Sequence, residues 1–571
     1  MRKILSSAKL PLAAFALFAF LVAGANQAFA GATIQIVNLD GPNEGFNDPT
    51  PAAPVGGNPG MTLGAQRLFA FTHAANIWGS KLDSNQVIRI QAAFNPLAPN
   101  VLGSAGATFV FSDFGGVGLY PGSLFPSTWY SSALADKRAG AELNPGFADI
   151  NAQFSSNFNF YLGVDNNHGA QNDLVAVLLH EFAHGLGFQN FVTETTGANL
   201  AGQTDVYSQY TLDITNGMHW SDMDNAQRAA SAVRFGKVVW DGPAVTAAVP
   251  SVLAFGSPEL RVINPPSIAG TFQFGTASFG PPVGSPNVLN TAVVAVQDPD
   301  EDGASAAFTA TDGCTAFSNA AAVAGKIALV ERGGCGFAVK ARNASAANAA
   351  AVIIYNQAAN AAAAPPGMAG DGINDPFVTI PSVSVTRNDG LALLGAPGAT
   401  ASLLVDLTVR AGADPAGHAR LYAPFPVALG SSISHYDTVS RPNQLMEPAI
   451  NGDLTHSLTT PQDMTLPLMR DIGWFPDADL DGLAADIDCD DTTDFSPTIV
   501  IDGCDTGVPN PFYADGCSLS DKIHALAEGA TNHGQWVSAV AHYTNALRKA
   551  GAITNEQKSA IQSCAAGASL P

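Results

Sequence analysis

Residues 178–190 read LLHEFAHGLGFQN, with His180 and His184 four apart and Glu181 beside the first of them. On an α-helix this spacing puts both imidazoles on one face, one turn apart, where they can share a single metal ion at ~2.0–2.1 Å from nitrogen. Glu181 can reach a water near the metal and act as general base. Gly185 and Gly187 allow the helix to end sharply. Two protein ligands do not complete a tetrahedral site, and the position six residues after His184 holds Asn190 rather than another imidazole. The stretch therefore sets the question of where the chain keeps its third ligand.

Upstream, QNDLVAVLLHEFAHGLGF reads as one buried helix, with Asn172 or Asp173 as its start signal. Before it, ATIQIVNLD, VIRIQAAF, ATFVFSDF and FNFYLGVD read as strands. TLGAQRLFAFTHAANIWGSKL reads as a helix capped by Thr62, with His73 as a packing residue. Residues 31–257 thus form the first part of an α+β catalytic unit, a twisted mixed sheet with an active-site helix. From 258 to 408 the texture changes to Gly, Pro and Ala, with short strands such as KIALVER and AVIIYN between helical runs. Residues 409–475 return to the earlier pattern.

With 571 residues the chain is long enough for several domains, and a 47% hydrophobic share is ample for packed cores. A net charge of −23 argues against nucleic acid as a partner. Residues 1–30 carry Arg2, Lys3, a short apolar run and Ala28-Phe29-Ala30. This is the pattern of a cleaved signal peptide, so we expect a secreted, extracellular or periplasmic protein with no stable membrane insertion. The cysteines, Cys314, Cys335, Cys489, Cys504, Cys517 and Cys564, are even in number and suit disulfides. Their order suggests the pairs Cys314–Cys335, Cys489–Cys504 and Cys517–Cys564.

For the third ligand, neutral imidazole is the better zinc donor. His435 stands out in SSISHYDTVSRPNQLMEP, with Met446 eleven residues on. His219, the Asn190 side-chain oxygen, and the carboxylates of Glu194 and Asp205 are the competing donors.

HEFAHGLGF, then the distant SHYD, then NQLMEP, resembles the leishmanolysin family of metzincin endopeptidases. The resemblance implies zinc held by His180, His184 and His435, Glu181 as general base, and Met446 in a methionine-bearing turn beneath the metal. It also implies protein or peptide substrates. GCTAFSNAAAVAGKIALVERGGCGF and AVIIYN, within 258–408, resemble the protease-associated (PA) domain, which implies a non-catalytic α/β insertion in contact with substrate or partner. In the segment 476–507, Asp477, Asp479 and Asp481, then Asp486, Asp488 and Asp490, alternate around Gly482. They resemble thrombospondin type 3 calcium repeats, so calcium is the expected second cofactor. Residues 508–571 read as a small helical module. These readings together point to a secreted zinc metalloendopeptidase. The alternative is a non-catalytic binding or adhesive protein that uses the PA-like and calcium segments for contact.

Overall fold

The computed structural model describes residues 31–116, 122–299, 309–476, 496, 498–511, 517–528 and 530–569. The signal-peptide region and the six aspartates proposed as calcium ligands, Asp477, Asp479, Asp481, Asp486, Asp488 and Asp490, lie outside the described residues, as does Cys489.

The first unit is built on a four-stranded sheet in the order β1-β2-β4-β3. Its strands are β1 (Ile34–Asn38), β2 (Ile88–Asn95), β3 (Gly103–Ala107) and β4 (Ile150–Ser155). The first three strands in that order run parallel, and β3 closes the edge antiparallel to β4. Strand β4 has the alternation of a half-buried strand, with Ile150, Ala152 and Phe154 turned inward. The aromatic run 158–165, expected as a strand, is irregular and makes a single bridge from Tyr161 to Asp173. Its phenylalanines pack beside the sheet without extending it. ATFVFSDF is likewise divided between β3 and the short strand Val110–Phe111.

Two helices cover the sheet. Helix α1 (Leu63–Gly79) begins at Thr62, whose side chain accepts from the Ala65 N–H. Helix α2 (Leu174–Leu186) begins at Asp173, whose carboxylate accepts from the N–H groups of Val175 and Ala176. Every residue of α2 is buried. Trp78 of α1 donates to the Leu179 carbonyl at 3.1 Å, and Trp474 donates to the Leu186 carbonyl at 2.9 Å. The helix is therefore gripped by an earlier and a later part of the chain.

The chain leaves this unit after residue 254 and returns at 411. Between lies an eight-stranded sheet in the order β6-β5-β12-β8-β9-β10-β11-β7. Its strands are β5 (Phe255–Asn264), β6 (Gly270–Phe272), β7 (Gly275–Thr276), β8 (Val288–Ala295), β9 (Ile327–Glu331), β10 (Ala351–Tyr355), β11 (Ser382–Val385) and β12 (Thr400–Arg410). Strands β8 to β11 are parallel neighbours, as expected for the α/β texture of this stretch. Cys314 and Cys335 bridge within it. The stem is the antiparallel pair β5 and β12. Below the stem, Ala254 N–H donates to Arg441 O at 2.7 Å and Ala411 N–H donates to Ala254 O at 2.9 Å. A second antiparallel sheet joins Val238–Trp240, before the insertion, to Ala419–Arg420 after it. The two stretches that flank the insertion accordingly share one hydrophobic core.

At the C-terminal end a hairpin, β13 (Thr498–Ile501) and β14 (Cys504–Pro509), shares a core with three helices, α3 (Leu519–Glu528), α4 (His533–Lys549) and α5 (Asn555–Gly567). The expected pairs Cys489–Cys504 and Cys517–Cys564 are not formed. Cys504 bonds Cys564, because β14 lies against α5, and Cys517 is in a disulfide of its own. Among the described residues no helix is long and apolar enough to cross a membrane.

The contact between α2 and β4 leaves no room for a methyl group at Gly185, where an added Cβ would lie 2.4 Å from Ile150 Cγ2. Gly185→Ala should cost ~1–3 kcal/mol by overpacking. Chemical denaturation of the purified variant measures this, and an unchanged midpoint would refute the close packing.

Candidate metal centre

The structure brings His180, His184 and His435 together. Their Nε2 atoms converge, with His184 Nε2 at 3.1 Å and His435 Nε2 at 3.2 Å from His180 Nε2. Each Nδ1 meets a backbone carbonyl: His180 that of Leu445 at 2.7 Å, His184 that of Phe188 at 2.7 Å, and His435 that of Ser431 at 2.8 Å. A carbonyl can only accept, so each ring carries its proton on Nδ1 and presents the Nε2 lone pair to the common point. Burial drives all three rings toward the neutral form. The pKa of His180 falls to about 3, that of His184 to about 4, and that of His435 well below its ordinary value. Three neutral, converging imidazoles, each fixed by a second hydrogen bond, fit a zinc ion with an open fourth position.

Met446 is fully buried, and its turn ties His180 to the segment of His435. The Leu445 carbonyl holds His180, and the Met446 carbonyl accepts from Tyr436 N–H, next to His435, at 2.8 Å. The turn is itself held by buried Asp463, whose Oδ2 accepts from Leu445 N–H at 2.6 Å. Gly187, at φ 125°, ends α2 and lets Phe188 turn its carbonyl back to His184.

Glu181 lies beside the three rings in a cleft of about 750 Å³ that also exposes Gly103, Ser104 and Ala105 of β3. Burial raises its pKa to about 8, opposed by a hydrogen bond from the Ala105 backbone. Gly103 was not anticipated from the sequence. An added Cβ there would lie 3.1 Å from Glu181 Cγ, so the glycine lets the edge strand approach the carboxylate.

The competing donors are engaged elsewhere. His219 Nε2 pairs with Asp241 at 2.7 Å, and Asp205 caps a short helix through Ser208 N–H. Asn190 donates through Nδ2 to Ser434 Oγ at 3.0 Å and accepts at Oδ1 from Val192 N–H. Glu194 accepts from Asn190 Nδ2 at 3.4 Å. His73 packs edge-on near His456, with ring centroids 6.3 Å apart.

Residues 291–393 match the PA domain family, so the eight-stranded insertion carries a PA domain. Two curated relatives are similar over short stretches. The "ER degradation-enhancing alpha-mannosidase-like protein 3" of Xenopus laevis is 41% identical over 87 residues, 15% of this chain and 10% of that one. An "Aminopeptidase" of Pseudomonas aeruginosa is 57% identical over 49 residues, 9% of each chain. The matched stretch spans about a tenth of these relatives' length. Among solved structures, BSAP, a zinc aminopeptidase from Bacillus subtilis, shares 24% identity over 28% of this chain and 36% of that one, with a TM-score of 0.19. The aminopeptidase from Aneurinibacillus sp. strain AM-1 shares 22% over 27% and 31%, also with a TM-score of 0.19. Superpositions this poor carry no argument about the catalytic unit.

Two outcomes follow from the geometry. Wild type should hold about one zinc per chain and His435→Ala should lose it on dialysis, read by elemental analysis; tight retention would remove His435 from the ligand set. Protons compete with a metal for imidazole, and depressing the ring pKa values to about 3 and 4 weakens that competition. Zinc should therefore be retained as pH falls from 7 to ~5 and released only toward pH ~4. Half-release near ~6.5, the value of a free histidine, would contradict the buried, neutral rings.

Proposed function

We propose that the chain is an exported zinc-dependent endopeptidase of the metzincin type, similar to the leishmanolysin family. The observation that carries this reading is the junction of His180, Glu181 and His184 on one buried helix with His435 and the Met446 turn, from the far side of the PA insertion. Zinc, when bound, supplies Lewis acidity toward a carbonyl and lowers the pKa of water. The chain's own groups do the rest. Glu181, inside the cleft and beside the three histidines, would be held as a carboxylate by the positive charge of a bound zinc ion, and takes a proton from the attacking water and returns it to the departing amine nitrogen as the peptide C–N bond breaks. The edge strand β3 lines the same cleft and has one side unpaired by the sheet. An extended substrate can add to it as a further strand, which suits cleavage within a chain. The similarity to aminopeptidases over short stretches is consistent with peptide substrates, and the disulfides suit an oxidising compartment.

Glu181→Gln keeps the three imidazoles and removes the base. Hydrolysis of a casein or quenched-peptide substrate should fall by ~10²–10⁴-fold with zinc content unchanged. Ordinary turnover by the zinc-loaded variant would defeat the mechanism.

A further inference from the structure

The cleft is not chemically uniform. Toward the N-terminal half of α2 its walls include the apolar Phe158, Val177, Pro448 and Ile450, with the neutral Asn172. Beyond the C-terminal end of α2 the walls include the polar residues Gln189, Asn190, Glu194 and Ser434, beside Leu429 and Gly430. Apart from Glu181, Glu194 is the one acidic residue among the lining residues, and no lysine or arginine is among them. Glu194 is half-buried, and among the described residues no basic side chain forms an ion pair with it. Its one side-chain partner is the neutral Asn190 amide, at 3.4 Å. Fully buried Asp205 lies close enough to add to the negative potential, and burial with that neighbour raises the Glu194 pKa.

The carboxylate is also held in place relative to the metal ligands. Asn190 donates to Ser434 Oγ through both its backbone N–H, at 3.2 Å, and Nδ2, at 3.0 Å, and Ser434 directly precedes His435. The short hairpin pairing Val192–Thr193 with Ala198–Asn199 carries Glu194 just beyond its first strand. A carboxylate removed from part of its water and left without a cation is costly by itself, and a cationic guest relieves that cost.

We propose that Glu194 makes this end of the cleft a specificity subsite for a cationic group of the substrate, an ammonium or guanidinium. The inference rests on reading the cleft as a peptidase site. The cation has two possible sources, a lysine or arginine side chain and a free N-terminal amine, and the chemistry at Glu194 is the same for both.

The test compares zinc-loaded wild type with Glu194→Gln and Glu194→Lys on matched peptides. The pairs differ only as lysine against norleucine or arginine against citrulline, each with a free and an acetylated N-terminus. The readout is the ratio of kcat/KM within a pair, which cancels general effects of a substitution on the enzyme. Comparing that ratio between wild type and Glu194→Gln removes most of the attraction exerted by the net charge of −23, which the substitution changes by only one. Wild type should favour the cationic member by roughly tenfold, Glu194→Gln should bring the ratio close to one, and Glu194→Lys should reverse it in favour of the neutral member. A preference that survives acetylation assigns the side chain as the source; one lost on acetylation assigns the terminal amine. The same peptides are titrated by fluorescence anisotropy against Glu181→Gln and Glu181→Gln/Glu194→Gln, which reads the subsite without turnover. A cation preference in binding that vanishes in the double variant upholds the subsite even if no peptide is cut, in which case the peptidase reading alone falls. Equal ratios in wild type and Glu194→Gln, in turnover and in binding, overturn the proposal and leave the peptidase reading intact.

Discussion

The structure depends on a requirement of orientation at three imidazole rings. A histidine can present the Nε2 lone pair to a shared point only if its proton is kept on Nδ1, and here three carbonyls do this. They belong to Leu445, Phe188 and Ser431, which lie on separate stretches of chain. Each must be held to within a few tenths of an ångström for the rings to meet. The glycine-permitted turn at Gly187 sets Phe188, Asp463 sets Leu445, and the turn from Ala428 to Ser432 sets Ser431. Burial adds to the effect by removing the water that would favour imidazolium. The site is neutral and directed because the backbone around it is fixed.

A whole domain sits between two of these histidines, and the physics of loop closure allows it. Closing a longer loop costs only slowly more entropy, about 0.6 kcal/mol for each doubling of length. A folded insertion whose entry and exit strands are paired with each other adds less still. Strands β5 and β12 form that stem, and Ala254, Ala411 and Arg441 clamp its base to the segment between His435 and Met446. The pairing of Val238–Trp240 with Ala419–Arg420 restores the interrupted unit immediately beyond. The PA domain can thus be accommodated without displacing His435, and its root adjoins the segment that follows His435.

How much of this was legible in the sequence varied with the range of the interaction. Local signals were reliable: the four-residue spacing of His180 and His184, the caps at Thr62 and Asp173, and the change of texture at the insertion all reflect contacts within a turn or a strand. The pairing of His435 with Met446 was legible through a family pattern and through the small number of histidines. Contacts set by tertiary packing were not. The run 158–165 has strand-like residues, but the sheet takes the quieter 150–155, whose asparagine and glutamine face outward. Cysteine order does not encode that β14 lies on α5, so two of the expected disulfide pairs were misassigned. Gly103 carries no signal in the sequence, and its role shows only once the carboxylate of Glu181 is placed against it.

Asn190 shows why a position that breaks a motif can still belong to the site. A histidine six residues after His184 would complete the set locally, and the chain would not need to return. With asparagine there, the ligand must come from elsewhere, and something must register the returning chain against the helix. Asn190 has the chemistry for that task, since an amide both donates and accepts. Its Oδ1 fixes its own loop through Val192, while its N–H and Nδ2 both bond Ser434, the residue before His435. Asn190 therefore helps to locate His435 against the helix. Its remaining contact, to Glu194, connects that task to the polar wall of the cleft.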